Sequence, residues 1–215
     1  MSLTLHYHPL SSFCMKALVA LYETGVSFTT QFVDLSDPAQ RAALSKLSPI
    51  GKFPVLVDAA AGEVVPESTI IVEYLAHRHP GAATLIPADP DRARAVRLRD
   101  RLFDLYVHAE MQAIVGDRLR PADHRDPYGV ERATARLRNA YAILDDMVGA
   151  GPWATGAAFT MADCAAAPAL FYANRVAPID GNLRDLAAYL ARLVERPSFA
   201  RVLAEAQPFF HLFPA

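Results

Sequence analysis

Cysteine is nearly absent from this chain: Cys14 and Cys164 are the only two in 215 residues. So few thiols exclude a disulfide framework, and they leave no paired spacing for a metal site. Glycine is scarce as well, at 10 residues, while alanine is abundant, a balance that favours helix. No apolar run approaches the roughly 20 residues of a membrane span. The opening Met1-Ser2-Leu3-Thr4-Leu5-His6 has neither the cationic start nor the apolar middle of a secretion signal. Charge of one sign is missing too, because the net charge of -2 is spread along the chain. No nucleic-acid or lipid footprint results. These absences predict a cytoplasmic protein with no metal, no nucleic-acid partner and no membrane partner.

What is present is an ordinary globular composition, 53% hydrophobic and 20% charged, in a chain long enough for one large domain or two small ones. Leu3, Leu5 and Tyr7 alternate with Thr4 and His6, which predicts a strand that Pro9 ends. Ser11-Ser12 can cap a helix with Met15, Leu18, Val19 and Tyr22 on its apolar face, and Gly25 sits where it would stop. A second strand over Ser27 to Asp34, a short helix from Pro38 to Lys46, a hairpin through Ala59-Ala60-Ala61-Gly62 and a helix from Ser68 follow. The order βαβ, α, ββα predicts an α/β domain with a mixed four-stranded sheet. Pro80-Gly81 and Pro87-Ala88-Asp89-Pro90 read as a linker rich in turn residues. Beyond it strand signals vanish, and helical patterns run from Asp91 to Leu119, Gly129 to Met147, Met161 to Asn174 and Leu183 to Glu195. The predicted domains are 1–80, a linker 81–90, and an all-helical 91–215.

Two short segments carry candidate chemistry. In Lys52-Phe53-Pro54-Val55, proline can open a strand without a ladder bond being lost. A cis Phe53–Pro54 bond would turn the Phe53 backbone outward, ready to pair with an extended peptide; a trans proline entering a strand is the commoner arrangement. In Glu67-Ser68-Thr69, the start of a helix attracts a carboxylate, Ser68 can add a hydroxyl, and Glu67 can take an ammonium group. The alternative is that Ser68 only caps its own helix and Glu67 only favours its dipole. Thr160-Met161-Ala162-Asp163 reads as a capping box with Asp163 in place of glutamate, a structural element, and Cys164 as a buried small hydrophobe.

Taken together, Tyr7-His8-Pro9-Leu10-Ser11-Ser12-Phe13-Cys14, Phe53-Pro54-Val55-Leu56 and the run from Pro66 to Leu75 resemble the soluble glutathione transferases. Gly151-Pro152-Trp153 through Phe159-Thr160-Met161-Ala162-Asp163 resembles that family's helical domain. The resemblance is to bacterial members near the serine-using theta, zeta and beta-like classes. It implies a thioredoxin-like first domain, a cis Pro54, a homodimer, and glutathione as co-substrate beside a small apolar electrophile. By position, Phe53 would pair its backbone with the cysteinyl part of glutathione, and Glu67 and Ser68 would hold the γ-glutamyl end. Lys52, where family members often carry glutamine, would face a carboxylate of the tripeptide.

A free thiol titrates near 8.5, so lowering it by two units needs roughly 2.7 kcal/mol of preference for the thiolate. One hydroxyl donated to a charged acceptor supplies roughly 1.5–3 kcal/mol, and a helix N-terminus adds roughly 0.3–1 kcal/mol. A single hydroxyl at the mouth of the first helix is therefore sufficient. Ser11 is ranked first for that role, then Tyr7, then Cys14 as a nucleophile, with Ser12 a rival of Ser11 after a one-residue shift. Phe13, Tyr106, His108 and the aromatic pair Phe209-Phe210 are candidates to line the electrophile pocket. The arginines from Arg92 to Arg101, interspersed with Asp91, Asp100 and Asp104, read as a solvated or subunit-facing charge network.

Overall fold

The computed structural model describes residues 2–79, 84–149 and 151–214. Alternation in Leu3–Tyr7 does make a strand, β1, with Leu3 and Leu5 fully buried. Ser11 caps α1 (Ser12–Thr24): its extended backbone lets its Oγ accept the Cys14 N–H at 3.3 Å. Gly25 ends that helix at φ 66, the left-handed conformation that glycine adopts without a Cβ penalty. The strand β2 (Phe28–Phe32) and α2 (Pro38–Leu47) follow. A hairpin comes next, β3 (Val55–Asp58) and β4 (Glu63–Pro66), and α3 (Ser68–Arg78) closes the first domain.

The sheet order is β2-β1-β3-β4, with β1 parallel to β2 and β3 antiparallel to both its neighbours. Pro80 and Gly81 of the expected linker lie outside the described residues.

The rest is helical. α4 (Pro90–Leu102) runs without interruption through a π turn (Phe103–His108) into α5 (Ala109–Arg118). Then come α6 (Pro127–Val148), α7 (Met161–Val176), α8 (Arg184–Glu195) and α9 (Pro197–Ala206). A 3₁₀ turn over Gln207–Leu212 carries the chain back over the first domain. No helix among the described residues is long and apolar enough to cross a membrane.

One continuous apolar core joins the two domains, from Leu5 and Leu18 in the first to Phe103, Leu170 and Tyr189 in the second. Burying each such side chain is worth about 1.5–3 kcal/mol. Asp163 sits wholly inside, accepting the N–H groups of Ala154 and Thr160 at 2.8 Å each and the Tyr189 hydroxyl at 2.6 Å. It is the structural element its spacing predicted. Phe159, just outside the cap, packs its ring edge-on against Trp153.

The charged run on α4 divides: Asp91, Arg92, Arg94, Arg97 and Arg101 stay exposed, as expected, while two acids do not. Asp100 and Asp104 turn inward and meet Lys16 of α1, which is itself 1% exposed, at 2.5 and 2.8 Å. Thr69 Oγ1 accepts from the same ammonium at 2.8 Å and donates to Asp100. Arg101 closes the cluster from the solvent side. The surface expectation fails for Asp100 and Asp104, because period 3.6 brings these two residues, four apart, to the side that meets Lys16 of α1 and Thr69 of α3.

Candidate functional site

Two adjoining cavities open where the sheet's carboxyl-end loops meet the helical domain. The smaller, about 140 Å³, is lined by Lys52, Phe53, Pro54, Glu67 and Ser68, together with Phe13, Ser48 and Ile50. The larger, about 300 Å³, is lined by His8, Ser11, Ser12 and Phe53 from the first domain. Its far wall is Met111, Gln112, Tyr172 and the segment Leu212 to Pro214. Phe53 belongs to both.

The Phe53–Pro54 peptide bond is cis. Among the described residues, neither the N–H nor the C=O of Phe53 is hydrogen-bonded. Glu67 caps α3 at φ 71, the one described residue other than glycine in the left-handed region. Such a conformation costs about 1–3 kcal/mol and persists only where surroundings impose it. It leaves the first N–H groups of α3 without a side-chain cap, beside a buried Ser68. Ser48 adds a feature that sequence reasoning missed: its hydroxyl is buried on the same cavity and has no partner among the described residues. An unpaired buried hydroxyl costs about 1–3 kcal/mol, and a polar ligand in this cavity would remove that cost.

At the α1 mouth, the Ser11 oxygen accepts the Cys14 N–H, and Ser11 lines the larger cavity. Ser12 is buried, and its Oγ pairs with Nε2 of His108. Burial, reinforced by the nearby charge of Lys16, pushes the His108 imidazole down to about 3. The ring is neutral at physiological pH. Phe13 packs edge-on against it, centroids 3.9 Å apart.

Three expected site residues are placed elsewhere. Tyr7 points across the sheet into a separate cleft with Tyr22, Thr30 and Glu205, because it shares the face of Leu3 and Leu5. Burial raises its pKa. Cys14 lies in the core; burial pushes its thiol up to about 12, the opposite of the depression a cysteine at a helix mouth would show. Tyr106 is solvent-exposed on the outer side of the π turn, in an apolar groove of about 450 Å³ with Leu102, Leu105, Arg136 and Ile143. His108, two residues on, faces inward. Of the aromatic pair, Phe209 stacks on Phe32 and meets His8, while Phe210 packs on Phe171. Among the described residues no group of three or more His, Cys, Asp or Glu side chains could hold a metal.

Residues 5–83 match the family described as glutathione S-transferase, N-terminal domain, and residues 127–196 match glutathione S-transferase, C-terminal domain. A stringent starvation protein A homolog from Pasteurella multocida is 28% identical, over 91% of this chain and 87% of that protein. A probable maleylacetoacetate isomerase from Caenorhabditis elegans is 26% identical, over 84% of this chain and 88% of that protein. A crystal structure of a glutathione S-transferase from Methylobacillus flagellatus with glutathione bound is 30% identical, with a TM-score of 0.85. The alignment spans 94% of this chain and 98% of that one. With both halves matched in order and a solved relative superposing along nearly its whole length, this chain belongs to the glutathione S-transferase family.

Proposed function

We infer that the protein is a glutathione transferase that holds glutathione as a thiolate and directs it at a small, largely apolar electrophile. One observation carries the reading: the Ser11 hydroxyl and Phe53, whose backbone is unpaired among the described residues, line one cavity. An extended tripeptide paired with Phe53 would bring its sulfur toward the mouth of α1. Glu67 would take its α-ammonium group, while the α3 N-terminus and Ser68 take its α-carboxylate. Lys52 and Ser48 would meet the polar groups toward the glycyl end. Ser11 then donates to the thiolate. Ser12 is a second donor, because neutral His108 can present Nε2–H to the Ser12 oxygen and turn its proton outward. The electrophile would occupy the about 300 Å³ cavity, against Met111, Val115 and Tyr172.

This reading assigns residues 1–80 to glutathione binding, 81–90 to the linker and 91–215 to the electrophile side, in a cytoplasmic homodimer. The dimer is supported by Leu105, Tyr106 and Ile143, all exposed around the outer groove, and by the exposed Leu98 on α4. A second reading, glutathione-dependent isomerisation at the same site, is favoured by the likeness to a protein named as a probable maleylacetoacetate isomerase. Thiol–disulfide exchange is disfavoured by the burial of Cys14.

Titration calorimetry with glutathione, followed by turnover of a generic aromatic halide, tests the proposal. Saturable binding with turnover is expected. No binding heat would overturn the site, and binding without conjugation would leave isomerase or non-catalytic binding as the function.

A further inference from the structure

His8 lies in the motif that suggested the family, yet the activity as derived so far gives it no task. Its ring lines the larger cavity beside Ser11 and Phe53. The ring is clamped: it stacks on Phe53 with an interplanar angle of 19°, tilts against Phe32 at 5.3 Å, and meets Phe209 edge-on. Its Nδ1 accepts the Leu10 N–H at 3.2 Å. That nitrogen must therefore carry a lone pair, which places the ring proton on Nε2. Burial lowers the ring's pKa, so this neutral tautomer persists at physiological pH. Nε2 makes no hydrogen bond among the described residues, although Nδ1 does.

The other polar groups of this cavity are mostly engaged. Tyr172 donates to the Leu10 carbonyl, Ser12 is paired with His108, and Ser11 is the group assigned to the thiolate. What remains, besides the exposed side-chain amide of Gln112, is one clamped imidazole N–H in a largely apolar pocket. Resting on the transferase reading, we propose that His8 is a specificity-determining residue whose Nε2–H binds an acceptor oxygen on the electrophile, favouring substrates that build negative charge on that oxygen.

A conjugated enone illustrates the step. The thiolate sulfur forms the C–S bond at the β-carbon, and the C=C electron pair moves to become the new enolate double bond. The C=O π pair goes to oxygen, where His8 Nε2–H meets the developing charge. Solvent then returns a proton to the α-carbon, matching the one released when the thiol ionised. No leaving group is involved. A benzylic chloride, in contrast, loses chloride at a saturated carbon and offers His8 no oxygen.

The experiment compares wild type, His8→Phe and His8→Asn with 4-phenyl-3-buten-2-one and with benzyl chloride, alongside calorimetry with glutathione. Phenylalanine keeps the aromatic packing and removes the donor; asparagine keeps a donor. The expected result is a loss of about tenfold in kcat/KM for the enone in His8→Phe, the size of one hydrogen bond. Benzyl chloride turnover and glutathione affinity stay within about twofold, and His8→Asn recovers part of the enone rate. Equal losses on both electrophiles, or weakened glutathione binding in His8→Phe, would place the donor on glutathione and overturn the proposal. An unchanged enone rate overturns it as well. Failure of the wild-type protein to bind glutathione, or to turn over either electrophile, would instead remove the transferase reading on which the proposal stands.

Discussion

Ser12 and His108 stand 96 positions apart and meet through Oγ and Nε2 in a buried contact at the mouth of α1. The bond crosses from the first domain to the second, so the residue next to Ser11 is held by the helical domain. Its energetics are pH-dependent, because the ring is kept neutral in the fold and is free to charge once unfolded.

The unfolded histidine takes a proton near pH 6.5, while the folded ring resists down to about 3. Between these values the unfolded state binds more protons, so stability falls as pH drops through 6.5 and goes on falling toward 3. From pH 7 to pH 5 this one group should remove about 2 kcal/mol. Urea unfolding of wild type and His108→Gln at both pH values measures it. The variant should lose about that much less; equal losses would show that His108 is not protected from protonation.

Ser11→Ala should lower kcat/KM roughly 10- to 100-fold, the loss of a hydroxyl bond to a charged sulfur. Loss of the cap should also cost about 1 kcal/mol of stability. Tyr7→Phe and Cys14→Ala should retain turnover within about threefold. Steady-state conjugation by the three variants decides the ranking, and a Tyr7→Phe enzyme as impaired as Ser11→Ala would reverse it.

Lys16→Met removes the cation that faces Asp100 and Asp104 and leaves two carboxylates with only the half-exposed Arg101. Breaking a buried pair from one side costs about 3–5 kcal/mol. Chemical denaturation should register a loss of that size. A loss under about 1 kcal/mol would mean that Arg101 alone compensates both acids.

Leu105→Glu with Tyr106→Glu places charge on the exposed outer groove, where an apolar interface would have to desolvate it. Light scattering on the wild type should give twice the 23.4 kDa chain mass, and on the variant the single mass. A wild type that is monomeric at all concentrations would remove the homodimer.

Much of this was legible in the chain. The period-2 alternation from Leu3 to Tyr7, the Ser11 cap, Gly25 and the turn at Ala59 to Gly62 are local signals, and each yields the element it predicts. The small cavity was legible too, since Lys52 to Pro54 and Glu67-Ser68 lie in short contiguous stretches. What escaped depends on tertiary packing. Alternation puts Tyr7 on the Leu3–Leu5 face, but only the position of α1 and α9 shows that this face leads away from the cavity. Helical periodicity puts Tyr106 and His108 on different sides of one helix, yet not which side meets α1. Ser48 and Gln112 lie in no motif, and His8 lies in one that gave it no role, because the relevance of all three comes from what surrounds them.

The π turn at Phe103–His108 gives this site a dependence on chain length as well as on residue identity. Residues four apart drift by about 40° around a regular α-helix, so Asp100, Asp104 and His108 would fan out over about 80°. The wider turn, closed by the bond from the Ala109 N–H to the Asp104 carbonyl, offsets part of that drift and keeps all three inward. Such turns often arise at functional sites as a single added residue. A relative one residue shorter in this segment could conserve every side chain named here and still present a different group to Ser12. Comparing members of the family by gaps in this helix would then sort their thiol sites in a way that matching residues does not.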